Sequence, residues 1–340
     1  MNPTLEAVVV QATHLPISAI QISPRPPLDY QSNRLYDLWI NDQHWIVKEF
    51  LHAAEWQEAP RREFRALELL APLDIAPSPV SYDPALGPVV IYQYMPGEMW
   101  DRRRPTPGDL ARLADLWLKM NDIPTEGVLP SRGMDRTMAE IETGIRTGFQ
   151  TYADWTRTVF PAGERAADLC LELLAERRFV IHEIFDRKPH LCFCRADPRF
   201  ANVIARPDGR LGMVDWEDSG LRDPARDLAD LMCHPNQEDL LSSEEWNAFL
   251  EPYLGVRSTF DDEIGERMEL YLGIFPLFWL SVLLRQGIQR TNTDQLAGWK
   301  INHLPANERL RRYLHRGLVW RHPGSNISTH VAFFPDTDKC

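Results

Sequence analysis

Polar and apolar positions alternate in short runs from Ile17 to Phe50. Residues 34–40 and 44–50 flank the polar triplet Asn41-Asp42-Gln43, a pattern that predicts a β-hairpin. The period then lengthens. Phe64, Leu67, Leu70 and Ala71 recur at helical spacing and Pro60 suits a first helical turn, so a helix is expected over residues 61–71. A proline-rich connector, residues 76–84, leads to the apolar run 88–95, and Pro96-Gly97 closes it as a last strand and hinge. Beyond the hinge the pattern is mainly helical. Thr106-Pro107 forms a cap and first-turn pair ahead of Leu110, Leu113, Ala114, Trp117 and Leu118, and further helices are expected within residues 134–152, 162–184, 243–254 and 261–290. One β-rich island, residues 191–216, interrupts them. Residues 322–340 carry no period and are expected to form a loosely packed arm.

These runs predict an α+β protein with a sheet-rich part, residues 1–96, a mainly helical part, residues 97–321, and a tail. At 340 residues and 44% hydrophobic composition, the chain can bury two cores. The N-terminus has no basic region followed by an apolar run. The most apolar stretch, residues 271–284, contains Gly273 and Pro276 and meets Arg285 too soon to span a bilayer. A cytoplasmic location without a membrane partner is therefore expected. The five cysteines are odd in number and lack C-x-x-C spacing, which fits reduced structural thiols. A net charge of −12 argues against a nucleic-acid partner, which would need a basic stripe to neutralise phosphates.

The chemistry concentrates in the island. The turn Pro207-Asp208-Gly209 lies between two apolar strands, and Asn202 and Asp215 are nearly equidistant from it. If the flanks pair, the two side chains stand opposite each other at the open end of the hairpin and converge as oxygen ligands. Magnesium is commonly held by one or two protein oxygens plus substrate phosphates, so a carboxylate and a carboxamide suffice. Asp197, five residues before Asn202, enters the same hairpin and is placed to orient and deprotonate a hydroxyl.

This D-x-x-x-x-N spacing with a later aspartate resembles the aminoglycoside phosphotransferase and choline kinase-like family. Its signature is roughly H-G-D-x-x-x-x-N, then I-D-W-E, then D-P-x-x-D-L-A. Here the residues are Arg195-Ala196-Asp197, Asn202, Val214-Asp215-Trp216-Glu217 and Asp223-Pro224-Ala225-Arg226-Asp227-Leu228-Ala229. The resemblance implies a two-lobed, protein-kinase-like fold using ATP and Mg²⁺ to phosphorylate a hydroxyl of a small molecule. It makes Asp197 the base, Asn202 and Asp215 the metal ligands, and Asp227 a brace for the catalytic loop. Arg195-Ala196 replaces the family's His-Gly. Arg195 then either takes over support of the loop or marks a catalytically impaired nucleotide-binding or scaffold protein of the same fold. Glu217 and Asp218 are candidates for acceptor recognition.

The first lobe adds a second group. Ile46, Lys48 and Phe50 share one strand face, so the ammonium of Lys48 emerges among apolar neighbours and needs a partner. Glu63 lies in line with Leu67 and Leu70 on the following helix and can supply it. In the family such a lysine touches the nucleotide phosphates. By the same resemblance Tyr92 guards the adenine pocket, Gln93 and Met95 offer backbone hydrogen bonds to adenine, and Ser32, in a glycine-free loop, covers the phosphates.

Overall fold

The computed structural model describes residues 4–26, 33–51, 58–100, 103–132, 189–290, 300–301 and 304–320, with scattered positions between residues 143 and 187. Ser32 and the tail beyond residue 321 lie outside the described residues, and the helices expected at residues 134–152 and 162–184 are described only in part, the longest stretch being residues 175–179. The chain divides into two compact units. One comprises Met1–Asp101, Lys119–Arg132 and Cys192–Leu221; the other comprises Arg102–Leu118, Gly133–Leu191 and Arg222–Cys340.

The first unit opens with helix α1 (Leu5–Thr13), capped by the Thr4 hydroxyl on the Ala7 amide. Val8 and Val9 of this helix pack against Leu38, Ile40, Val47 and Ile91 of an antiparallel sheet. That sheet contains β1 (Ile20–Pro24), β2 (Asn33–Ile40), β3 (Gln43–Phe50), β4 (Pro79–Tyr82) and β5 (Val89–Gln93), in the order β1-β2-β3-β5-β4. The β2–β3 ladder runs from Ile40 opposite Gln43 to Asn33 opposite Phe50. Its turn is one residue shorter than the pattern implied. Asn41 adopts φ 54, a left-handed backbone that asparagine tolerates, so Gln43 joins the strand. Between β3 and β4 lies α2 (Ala59–Leu70), with proline in its first turn and Glu63, Ala66, Leu67 and Leu70 on its buried face.

The segment read as a proline-rich connector contains β4. The strand lies at the edge of the sheet, where a missing proline N–H breaks no ladder, and its register shifts between Pro79 and Ser81. After the hinge, β6 (Glu98–Met99) pairs with β8 (Val203–Ala205), which pairs in turn with β9 (Leu211–Met213). Gly97 lies so close to this hairpin that a Cβ would fall 2.4 Å from the Ile204 side chain. Helix α3 (Pro107–Asn121) and strand β7 (Cys192–Cys194) lie between β6 and β8 in sequence, and β10 (Gly220–Arg222) follows β9. The expected cap of α3 is present: Thr106 Oγ1 accepts from the Asp109 amide, and Asp109 accepts from the Thr106 amide.

The second unit is helical around α4 (Pro224–Cys233), α5 (Ser243–Arg257), α6 (Ile264–Leu272) and α7 (Phe275–Arg290), followed by a short β11–β12 pair (Lys300–Ile301, Leu304–Pro305) and α8 (Ala306–Val319). The Asp223 carboxylate caps α4 through the Ala225 amide and is also held by the buried guanidinium of Arg267, which bridges to Asp261. The expected helix 261–290 is broken into α6 and α7 at Gly273 and Ile274, because Pro276 has no N–H to give the Leu272 carbonyl and fits only the first turn of a new helix. A side chain at 273 would strike the Trp320 indole at 2.5 Å, so glycine lets the ring pack at the break. Among the described residues no single helix is long and apolar enough to cross a membrane; α6 and the first part of α7 pass that test only as a pair bent by 40°. Cys192, Cys194 and Cys233 are buried thiols.

Candidate active site

The turn between β8 and β9 brings the island's polar residues together. Gly209 takes φ 82, its amide donates to the Arg206 carbonyl, and Val203 stands opposite Met213. One step outside the ladder, the Val214 amide donates to the Asn202 carbonyl at 3.0 Å, and the Asn202 amide group donates to Asp215 Oδ2 at 3.3 Å. The carboxamide and the carboxylate are thus direct neighbours. Asp215 itself has φ 67, a strained backbone for a non-glycine residue that turns its carboxylate toward Asn202.

Lys48 projects from β3 into this place. It is 2% exposed, and its ammonium touches Glu63 Oε2 at 3.0 Å, Asp215 Oδ1 at 2.6 Å and Glu217 Oε2 at 3.2 Å. Glu63 is fully buried on α2, and the same Oε2 accepts from the Trp216 backbone amide at 2.7 Å. Glu217 accepts from the Asn33 side chain at 2.6 Å, which ties the start of β2 to the segment after β9. One ammonium faces three carboxylates here. Burial and the like charges of Asp215 and Glu217 push Glu63 up to about 7 despite Lys48. Burial also acts on Asp215, but Lys48, Arg199 and Arg195 outweigh it and hold its carboxyl below the usual range.

Asp197 lies in the loop before the hairpin, and its Oδ2 accepts from Arg199 Nε at 2.6 Å. Asp218 pairs with Arg132 at 3.1 Å; burial and the nearby Asp197 charge raise it to about 6. Arg195 is 1% exposed, donates to the Val214 carbonyl at 2.6 Å and lies 4.5 Å over the Trp216 ring. It therefore binds the loop of Asp197 to the segment carrying Asp215. Ala196 has φ 66, the left-handed region in which glycine is free of strain, so the family's preference for glycine there has a backbone cause.

Tyr92 is buried on β5, and burial raises its hydroxyl pKa. Gln93 is exposed at the end of β5 and its amide donates to the Ser78 carbonyl; the buried Met95 side chain lies against Gly212, where a Cβ would fall 2.2 Å from the Met95 sulfur. Asp227 is 1% exposed on α4 in the second unit, with Arg222 at 3.9 Å, so it is not a solvated helix carboxylate. Arg199, Arg132 and Asn33 were not singled out as site residues from the sequence. For Arg199 the available signal was its position two residues after Asp197.

The donor set suits a hard divalent cation. Asn202 spends its NH₂ on Asp215 and retains its carbonyl oxygen, and among the described residues no three His, Cys, Asp or Glu side chains form a softer or larger ligand group. Glu63 Oε1 and Asn33 Oδ1 are buried acceptors without a hydrogen-bond partner among the described residues, which leaves acceptor capacity around Lys48.

The profile of the phosphotransferase enzyme family matches residues 25–270. Solved structures share the fold. The choline kinase LicA from Streptococcus pneumoniae, in complex with AMP, is 18% identical over 92% of this chain and 96% of its own, with a TM-score of 0.61. A choline/ethanolamine kinase family protein from Mesorhizobium loti is 20% identical over 87% of each chain, at 0.56. The spectinomycin phosphotransferase APH(9)-Ia, in complex with ADP and spectinomycin, is 11% identical over 88% of this chain and 92% of its own, at 0.60. The fold is thus the α+β, kinase-like one expected from the sequence.

Proposed function

Because this chain belongs to the phosphotransferase enzyme family, we propose that it moves the γ-phosphoryl group of Mg²⁺-ATP to a hydroxyl of a small molecule. The carrying observation is convergence. Lys48 and Glu63, Asn202 and Asp215, and the loop of Asp197, tied in by the bond from Arg195 to the Val214 carbonyl, come from three separated stretches and form one connected cluster. The nucleotide-bound structures of LicA and APH(9)-Ia support ATP as the donor.

In this reading residues 1–96 bind the nucleotide, residues 97–321 supply catalytic and acceptor groups, and residues 322–340 are a tail. Tyr92, Gln93 and Met95 border the adenine, and Ser32 covers the phosphates. Lys48, braced by Glu63, positions the α- and β-phosphates. Asn202 and Asp215 hold Mg²⁺, which when bound neutralises charge on the phosphate oxygens. Asp197 orients the acceptor hydroxyl and takes its proton. Glu217 and Asp218 contribute to acceptor recognition, Arg195 keeps Asp197 in register with Asp215, and Asp227 braces the loop. The burial of Arg195 against Val214 and Trp216 favours an intact catalytic loop over a decayed one.

The test is ATP consumption across hydroxyl-bearing amines, sugars, amino acids and nucleosides, followed by Asp197→Asn on any hit. Turnover should fall by about 10² to 10⁴, the usual contribution of a positioned base, while ATP binding is spared. Full turnover in that variant would remove Asp197 from the role.

A further inference from the structure

Arg199 is fixed at both ends within the catalytic loop. Its amide donates to the Asp197 carbonyl at 2.9 Å, and its own carbonyl accepts from the Asn202 amide at 3.1 Å. It therefore stands between the candidate base and a candidate metal ligand. Its side chain is 42% exposed and reaches Asp197 through Nε alone, at 2.6 Å. Carboxylates prefer the two-pronged edge of a guanidinium. Here a single prong is used, and among the described residues no group accepts from the two terminal nitrogens.

The other cations around the cluster are engaged elsewhere. Lys48 is enclosed by three carboxylates, Arg195 is buried against Val214 and Trp216, Arg132 is paired with Asp218, and Arg62 on α2 donates to the Pro130 and Glu217 carbonyls. The surroundings are otherwise acidic, with Asp197, Asp215, Glu217 and Asp218 in four nearby positions. A polyanion entering this place needs an accessible cation with unused donors. The charges of Asp197, Asp215 and Asp218 keep the Arg199 guanidinium protonated. Its planar fork matches a phosphate better than a point charge does.

We propose that Arg199 binds the terminal phosphoryl group of the nucleotide through its two terminal nitrogens while Nε stays on Asp197. One side chain then joins the hydroxyl-orienting carboxylate to the group being transferred. This rests on the phosphotransferase function proposed above.

The experiment compares Mg²⁺-ADP with the non-hydrolysable Mg²⁺-β,γ-imido-ATP by isothermal titration calorimetry on the full chain. In Arg199→Met, affinity for ADP should stay within about twofold of wild type, while affinity for the triphosphate analogue should fall by roughly ten- to a hundredfold, the worth of a charge-assisted hydrogen bond. Arg199→Gln, which keeps donors but no charge, should lose the analogue selectively too and carries the test if the methionine variant fails to fold by circular dichroism. An equal loss for both nucleotides, or no loss for the analogue, overturns the proposal and leaves the phosphotransferase function standing. A wild-type chain that binds neither nucleotide overturns both.

Discussion

Replacing Lys48 with methionine removes one ammonium from among three carboxylates and leaves a side chain of similar length. Each of its contacts with Glu63, Asp215 and Glu217 spans 2.6 to 3.2 Å. At an effective dielectric near 20, a contact of this length is worth on the order of 5 kcal/mol. The three do not add, because the variant escapes by taking up protons. Protonating a carboxyl of ordinary pKa costs about 5 kcal/mol at pH 7.5 and about 2 kcal/mol at pH 5.5. The expected loss of unfolding free energy is therefore about 3–5 kcal/mol at pH 7.5, the range for a broken buried ion pair, shrinking to about 2 kcal/mol at pH 5.5. The sign follows from linkage. The folded variant holds protons that its unfolded chain does not, so its stability falls as pH rises across this interval. Urea titration followed by circular dichroism measures the loss, and hydrogen exchange of the Gln43–Phe50 strand locates it. A variant within about 1 kcal/mol of wild type at pH 7.5, or a loss that does not shrink on acidification, would refute a net stabilising role for this ammonium.

Two further outcomes concern stability away from the Lys48 ammonium. Burial alone pushes Glu269 on α6 up to about 7 from its ordinary 4.5. The stability associated with its protonated form is complete below pH 4.5 and is lost as pH rises through 7, so Glu269→Gln should be more stable than wild type at pH 8 by up to about 3 kcal/mol, read as a higher melting temperature, and match it near pH 4.5; equal melting at pH 8 would contradict this. Ala196→Gly should gain about 1 kcal/mol by removing a left-handed alanine, read as a higher urea midpoint at unchanged slope; a lower midpoint would show that the loop gains more from the methyl group than it loses to strain.

Period and turn chemistry made part of this molecule legible in its sequence. The alternation through β2 and β3 placed Lys48 on a buried face, and i+4 spacing on α2 placed Glu63 inward. The Pro207-Asp208-Gly209 reversal brought Asn202 beside Asp215, because turn residues specify pairing locally. Other elements left no such trace. Val8, Val9 and Val10 of α1 are β-branched and consecutive, a run without helical contrast. Pro77, Pro79 and Pro84 concealed an edge strand. The α6–α7 break had a local trace in Pro276, but the packing of Trp320 against Gly273, some fifty residues away, had none. Arg199 escaped notice, and Asn33 received no site role, because a polar side chain acquires its partner only in three dimensions: Asn33 meets Glu217 across 184 residues.

Both donors recorded on Glu63 end on one oxygen, the Lys48 ammonium from β3 and the Trp216 amide from the segment after β9. A helix, a strand and a loop are thereby riveted through a single atom. Any swing of α2 must drag the other two along or shear both bonds at once, so this helix is a strut in the scaffold, ill-suited to serve as a lever.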